Sequence, residues 1–231
     1  YMSLPLVLAA KVLKLKIYLV EPNHILGRAN KFFLKSCRII FCYTEKIKNF
    51  PEKFKHKKMI ISPLVKKFIY DYKLVSNTKD RFTILIVGGS QGAKIFDENL
   101  KNSIVNISKD NSIEIIQQTN EENISILKNF YTKNNVKNEI FNFDKNFINI
   151  IKQADLCITR AGASTLAELS VLNIPFIAVP LPTSKDNHQF ENANYYHMNK
   201  CCWIVEQKHF NEKIEKLLRE IIKNKDDFLK K

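Results

Sequence analysis

Short apolar runs alternate along the chain with longer stretches in which apolar positions recur every three to four residues. The runs 17–20, 39–42, 59–61, 82–87, 113–117, 139–143, 156–159, 175–179 and 202–205 are rich in Ile, Val, Phe and Leu and are predicted to be strands. Between them, stretches near 4–14, 30–36, 93–106, 121–130, 146–153, 164–172, 187–199 and 210–224 carry the helical period. That alternation predicts an α/β fold, a parallel sheet covered by helices, with ligands collecting at the carboxyl ends of the strands. The polar stretch from Asp71 to Asp80 contains Ser76-Asn77-Thr78 and precedes a fresh strand, so a domain boundary is expected there. Residues 1–70 then read as the carboxyl-side remainder of one α/β unit, and 77–231 as a nearly complete second one.

The run Gly88-Gly89-Ser90-Gln91-Gly92-Ala93 follows the strand 82–87 directly and opens a helix. Of the five glycines in the chain, three sit here, where they let backbone N–H groups approach an anion at a helix N-terminus. It carries neither the Gly-Lys-Ser/Thr of a P-loop nor the G-x-G-x-x-G spacing of a dinucleotide site. Arg160-Ala161-Gly162-Ala163-Ser164-Thr165-Leu166-Ala167-Glu168 repeats the strand, turn and helix plan. Ser164 or Thr165 is placed to cap that helix. Glu168 either holds a ribose cis-diol or accepts from exposed helix amides, and Arg160 faces phosphate or pairs with an acid. A third polar cluster, Thr183 to Gln189, follows the rigid Pro180-Leu181-Pro182. Its Asn187, His188 and Gln189 suit sugar hydroxyls, although a helix N-terminus beginning at Asp186 explains part of the set.

Composition adds a packed core, with 45% hydrophobic residues, and a formal charge of +14 from 37 Lys plus Arg against 23 Asp plus Glu. Such a surplus favours an anionic partner: phosphate-bearing substrate, acidic membrane surface or nucleic acid. No arginine patch interleaved with aromatics supports the last, so no nucleic-acid partner is expected. The five cysteines form no C-x-x-C pair, which points to a reducing compartment and no metal site, with Cys157 in the core. The opening run is broken by Lys11, Lys14 and Lys16, well short of the roughly 20 apolar residues of a membrane span. Tyr1 to Ala10 reads as the interior of a chain already under way, so a fragment is expected.

Taken together, GGSQGA (88–93), RAGASTLAEL (160–169) and the Asp186 to Gln189 run with Asn192-Ala193 resemble the MurG family of peptidoglycan N-acetylglucosaminyltransferases. Weaker similarity extends through Tyr1 to Pro5 and Val20-Glu21-Pro22-Asn23. The resemblance implies a GT-B glycosyltransferase of two Rossmann-like domains, the first incomplete here, working without a cofactor. It implies transfer of N-acetylglucosamine from UDP-N-acetylglucosamine to undecaprenyl-pyrophosphoryl-muramyl-pentapeptide, with inversion, at the cytoplasmic face of the bacterial inner membrane. By carry-over, Gly89, Ser90 and Gln91 meet the diphosphate, and Ala163, Ser164 and Thr165 line the nucleotide pocket. Glu168 holds the ribose, and the backbone near Phe143 and Asp144 meets the uracil. Gln189 with His188 reads the hexose, and Asn23 reaches it from the first domain.

Two departures stand out. The family's amino-terminal glycine-rich loop, which bears the expected general base, has no counterpart, so no catalytic residue is assigned. Its Asn-Pro-x-Arg segment becomes Ser62-Pro63-Leu64-Val65 followed by Lys66 and Lys67. With no D-x-D pair to hold a metal on the diphosphate, the glycine turn and helix end are expected to stabilise the leaving group. Lys11, Lys14 and Lys16 are candidates for contact with an anionic, peripheral membrane surface. Two rival readings remain at this point: a non-catalytic UDP-sugar-binding fragment, and a related glycolipid-forming enzyme of the same fold.

Overall fold

The apolar run Phe82–Val87 (β4) is buried at every position, as a central strand of a parallel sheet must be when helices cover both faces. The computed structural model describes residues 3–70, 80–89, 94–144 and 147–225. Around β4 a six-stranded parallel sheet is ordered β6-β5-β4-β7-β8-β9, with β5 Ile113–Gln118, β6 Lys137–Phe141, β7 Leu156–Thr159, β8 Phe176–Ala178 and β9 Cys202–Ile204. Side chains of β4 alternate between two cores. Phe82, Ile84 and Ile86 face the one that holds Phe96, Ile104, Tyr131 and Phe210, whereas Leu85 and Val87 face Ile150, Leu166, Leu169 and Tyr196.

A second parallel sheet, β1 Tyr18–Glu21, β2 Ile39–Cys42 and β3 Lys58–Ile60 in that order, has its core of Leu19, Phe33, Leu34 and Ile40 on one face. The helices are α1 Ser3–Val12, α2 Arg28–Phe33, α3 Lys67–Tyr70, α4 Lys101–Ser108, α5 Glu121–Lys133, α6 Phe147–Ile151, α7 Ala163–Val171, α8 His188–Met198 and α9 Phe210–Lys223. In α9 the residues Phe210, Ile214, Leu218, Ile221 and Ile222 form one buried stripe.

All nine predicted strands are present among the described residues, and three details differ from expectation. β6 lies two residues earlier than 139–143, because Asn142 has left the ladder: its carbonyl accepts from Gln118 Nε2 (3.1 Å) and its amide donates to the Thr119 carbonyl (2.9 Å). The helix expected at 93–106 contains a π-helical stretch, Phe96–Leu100, before α4. The short α3 was not expected from periodicity. Of the expected boundary, residues 71–79 lie outside the described set.

The two sheets meet along α8. Asn192, fully buried, accepts the His24 backbone N–H (2.9 Å) and donates to Asn23 Oδ1 (3.1 Å). The His24 ring stacks on Tyr195 with centroids 3.8 Å apart, and ion pairs Arg28–Asp186 (2.6 Å) and Lys48–Glu191 (2.5 Å) flank it.

Candidate nucleotide-sugar site

Strand order reverses between β4 and β7: the chain runs outward from β4 to β6, then crosses to β7 and runs out the other way. The loops leaving these two neighbours diverge, and the crevice between them is where an open α/β sheet binds ligands. Two cavities open there, of about 920 Å³ and 490 Å³, and Gly89 and Thr165 line both. The site is therefore bipartite with a shared waist.

Gly89 stands at φ +77°, a left-handed conformation that a Cβ would strain although nothing lies within 4 Å of where one would sit. Ser90 and Gln91, with Gly92 and Ala93, lie outside the described residues. Across the waist, α7 begins at Ala163 with Gly162 as an uncapped N-cap, and its first intrahelical bond is Leu166 N–H to the Gly162 carbonyl (3.1 Å). The amides of residues 163–165 thus have no intrahelical partner and present the positive end of the helix. Neither Ser164 nor Thr165 caps the helix among the described residues. Both sit inside the first turn, Ser164 exposed and Thr165 at the waist.

In the smaller cavity, Glu168 faces Lys66 and the rim formed by Phe143 and Asp144. Burial raises the Glu168 pKa and the nearby Lys66 ammonium lowers it. Its expected alternative, a bond to helix amides, is not seen among the described residues. Lys66 puts a cation into the cavity four residues after Ser62, where the family segment departed.

The larger cavity holds His188, Gln189 and Arg160. Gln189 Oε1 accepts the backbone N–H of Ala161 (3.2 Å) and of Leu181 (2.9 Å). Two amide donors on one oxygen fix which end of the carboxamide is which, so Gln189 offers a ligand only its Nε2 donor. His188 Nδ1 is 2.7 Å from the Lys185 carbonyl; that contact makes Nδ1 the protonated nitrogen and leaves Nε2 an acceptor when the ring is neutral. Arg160 pairs with no acid among the described residues. It donates to the Val179 carbonyl (3.2 Å) and lies over the Phe96 ring at 5.6 Å, and burial lowers its pKa.

Two expectations are redrawn. Asn23 lines neither cavity among the described residues, since its amide is committed to Glu21 Oε1 (3.0 Å) and to Asn192. Asp186 is held by Arg28 at the surface, which lowers its pKa, and the helix starts two residues later at His188 because Asp186 and Asn187 both take positive φ. Ser184, from the polar cluster Thr183 to Gln189, also lines the larger cavity, together with Gln207, which no motif marked, while Gln118 lines the smaller one unannounced. Ser184 Oγ, Gln207 Oε1 and Gln118 Oε1 are buried without a hydrogen-bond partner among the described residues. Gln207 follows the carboxyl end of β9, so the strand-end rule alone would have flagged it.

A family model described as the glycosyltransferase family 28 C-terminal domain matches residues 83–231. Along its whole length the chain is 49% identical to a Pelagibacter ubique protein named "UDP-N-acetylglucosamine--N-acetylmuramyl-(pentapeptide) pyrophosphoryl-undecaprenol N-acetylglucosamine transferase" and spans 65% of that protein's length. Among solved structures, Acinetobacter baumannii MurG superposes with a TM-score of 0.81 at 23% identity, covering 100% of this chain and 65% of that one. A Neisseria meningitidis UDP-GlcNAc 2-epimerase bound to UDP-GlcNAc gives a TM-score of 0.64 at 15% identity, covering 97% and 66%. These likenesses establish the GT-B glycosyltransferase fold.

Proposed function

The chain belongs to glycosyltransferase family 28, and from that membership we propose that it carries the sugar-nucleotide half of an inverting enzyme that moves N-acetylglucosamine from UDP-N-acetylglucosamine to undecaprenyl-pyrophosphoryl-N-acetylmuramyl-pentapeptide. One observation supports this above the others: two cavities of unequal size joined at a waist of backbone amides at the switch point. In this reading the nucleoside occupies the smaller cavity. Glu168 accepts from the ribose hydroxyls, the rim at Phe143 and Asp144 meets the base, and Lys66 adds charge toward the phosphates. The diphosphate spans Gly89 and the start of α7, and Ser90 and Gln91 remain assigned to it from sequence. The hexose fills the larger cavity, where Gln189 donates and His188 accepts.

Chemistry follows from that placement. As the acceptor hydroxyl attacks the anomeric carbon, the bond to UDP breaks and negative charge grows on the β-phosphate. The unpartnered amides of α7 and the Arg160 guanidinium lie where that charge develops, already oriented. The general base is not assigned to any residue of this chain.

A peripheral stay on the inner membrane, at its cytoplasmic face, suits a lipid-linked acceptor. No helix among the described residues is long and apolar enough to cross a membrane. Leu6, Leu8, Val12, Leu13 and Leu15 are exposed beside Lys11, Lys14 and Lys16, a combination that suits an anionic bilayer surface.

Calorimetric titration with UDP-N-acetylglucosamine, UDP-glucose and ADP-glucose tests the donor assignment. Selective binding of the first is expected, weakened roughly tenfold or more in Glu168→Ala through loss of a charged hydrogen bond. A folded chain that binds none of the three overturns the reading.

A further inference from the structure

Behind the site, and reaching it only at Thr119, lies a buried polar cluster that the proposed chemistry does not use. Asp97 sits in the π-helical stretch, only 8% exposed. Its Oδ1 accepts from Gln117 Nε2 (2.9 Å), and its Oδ2 accepts from Thr119 Oγ1 (2.6 Å) and Asn123 Nδ2 (3.0 Å). Gln117 Oε1 in turn accepts from the Tyr131 hydroxyl (2.9 Å). Gln117 and Tyr131 are fully buried and Thr119 nearly so, which makes an unfilled acceptor or donor here costly.

Where the cluster leads matters more than its cost. Next to Asp97 in sequence, Glu98 and Asn99 line the larger cavity. Its partner Thr119, with Gln118 and Asn120, lines the smaller one, and the Thr119 carbonyl holds the Asn142 amide of the far rim. A π turn adds a residue to the helical turn and so alters which side chains face inward; here Asp97 is turned inward along with Phe96 and Leu100. We infer that Asp97 is a positioning residue that locks the helix lining the larger cavity to the β5 exit lining the smaller, and so sets the register between the two halves of the site. The inference rests on the donor reading above.

A residue that only stabilised the fold would change the melting temperature and leave ligand ratios alone. A register lock must alter how well one ligand fits both cavities at once. The experiment compares dissociation constants for UDP and UDP-N-acetylglucosamine, well below the melting temperature, in the full chain and in Asp97→Ala, Asp97→Asn and Asn123→Ala. Asp97→Ala is expected to shift the ratio of the two constants by roughly tenfold. Asp97→Asn can restore three bonds, its oxygen accepting from Thr119 and Asn123 and its amide donating to a flipped Gln117 whose NH₂ then meets the Tyr131 oxygen; a shift of about threefold or less is expected. Asn123→Ala removes one donor at a position where alanine suits the helix, and is expected to move the ratio in the same direction as Asp97→Ala by about threefold. If Asp97→Ala folds and keeps the wild-type ratio within about twofold, the inference falls. Should Asp97→Ala not fold, an unchanged ratio in Asn123→Ala overturns it. A wild-type chain that binds neither ligand removes the donor reading, and the inference with it.

Discussion

The two parallel sheets are finished to different degrees. In the six-stranded sheet β4, β7 and β8 are buried at every residue, with helices on both sides. In the three-stranded sheet β1 alternates, Leu19 and Glu21 inside, Tyr18 and Val20 open to solvent, and β3 exposes Met59 and Ile60. Fully enclosed strands hold their carboxyl ends rigidly, and the described parts of both cavities cluster at such ends. The half-covered sheet contributes to neither cavity before Lys66, which lies beyond its last strand, and meets the other sheet through α8. A site that needs sub-ångström placement is thus built on the region with two cores.

The contrast breaks most sharply with paired truncations. Ile84→Ala, deep in β4, is expected to cost about 2–5 kcal/mol by opening a cavity, whereas Val20→Ala on the open face should stay within about 0.5 kcal/mol. Guanidinium denaturation followed by circular dichroism checks the pair, and equal losses would mean that the outer face of β1 is covered in solution.

The seam between the sheets comes next. Burial among Tyr195, Tyr196 and α8 lowers the His24 pKa to about 4 from 6.5. Because the folded pKa lies below the unfolded one, the unfolded chain takes up the proton first as pH falls. Stability is therefore full above pH 6.5 and declines toward pH 4, by up to about 3 kcal/mol. His24→Phe keeps a ring against Tyr195 and should flatten the pH dependence of the melting temperature across that window. A curve of unchanged slope would place the titration elsewhere.

The smallest effect is expected at the rim of the seam. Arg28→Ala removes an exposed pair with Asp186 and should lower the denaturation midpoint slightly at low salt, with the difference vanishing near 1 M salt, where the Debye length is about 3 Å.

The sequence made the fold legible because buried parallel strands read as unbroken apolar runs. β6 slipped furthest, since it opens with the three polar residues Lys137-Asn138-Glu139 at the sheet edge, and Phe143 extended the apparent run beyond its end. In the site, the glycine turns and Glu168 were visible as motifs, and the structure brings Gly89, Thr165, Glu168, His188, Gln189 and Asp144 around the two cavities. What stayed hidden depended on partners distant in sequence. The Asn23 carboxamide is taken up by Glu21 and Asn192, Lys66 enters the smaller cavity from a segment that read only as a departure from the family, and Gln207, although it follows a strand end, belongs to no motif. Nor did periodicity hint at a π turn, because one extra residue barely disturbs a helical pattern over 93–106.

The grip of two backbone amides on Gln189 has a consequence for the temperature at which recognition remains sharp. A free glutamine surrenders rotamer entropy on meeting its ligand, about 0.5–1.5 kcal/mol for such a side chain, and that penalty grows with warming. Gln189 has already given it up during folding, tied to Ala161 and Leu181. Its side of the encounter is thereby shifted from entropy toward enthalpy, and its contribution to selectivity fades less on heating than that of an untethered amide.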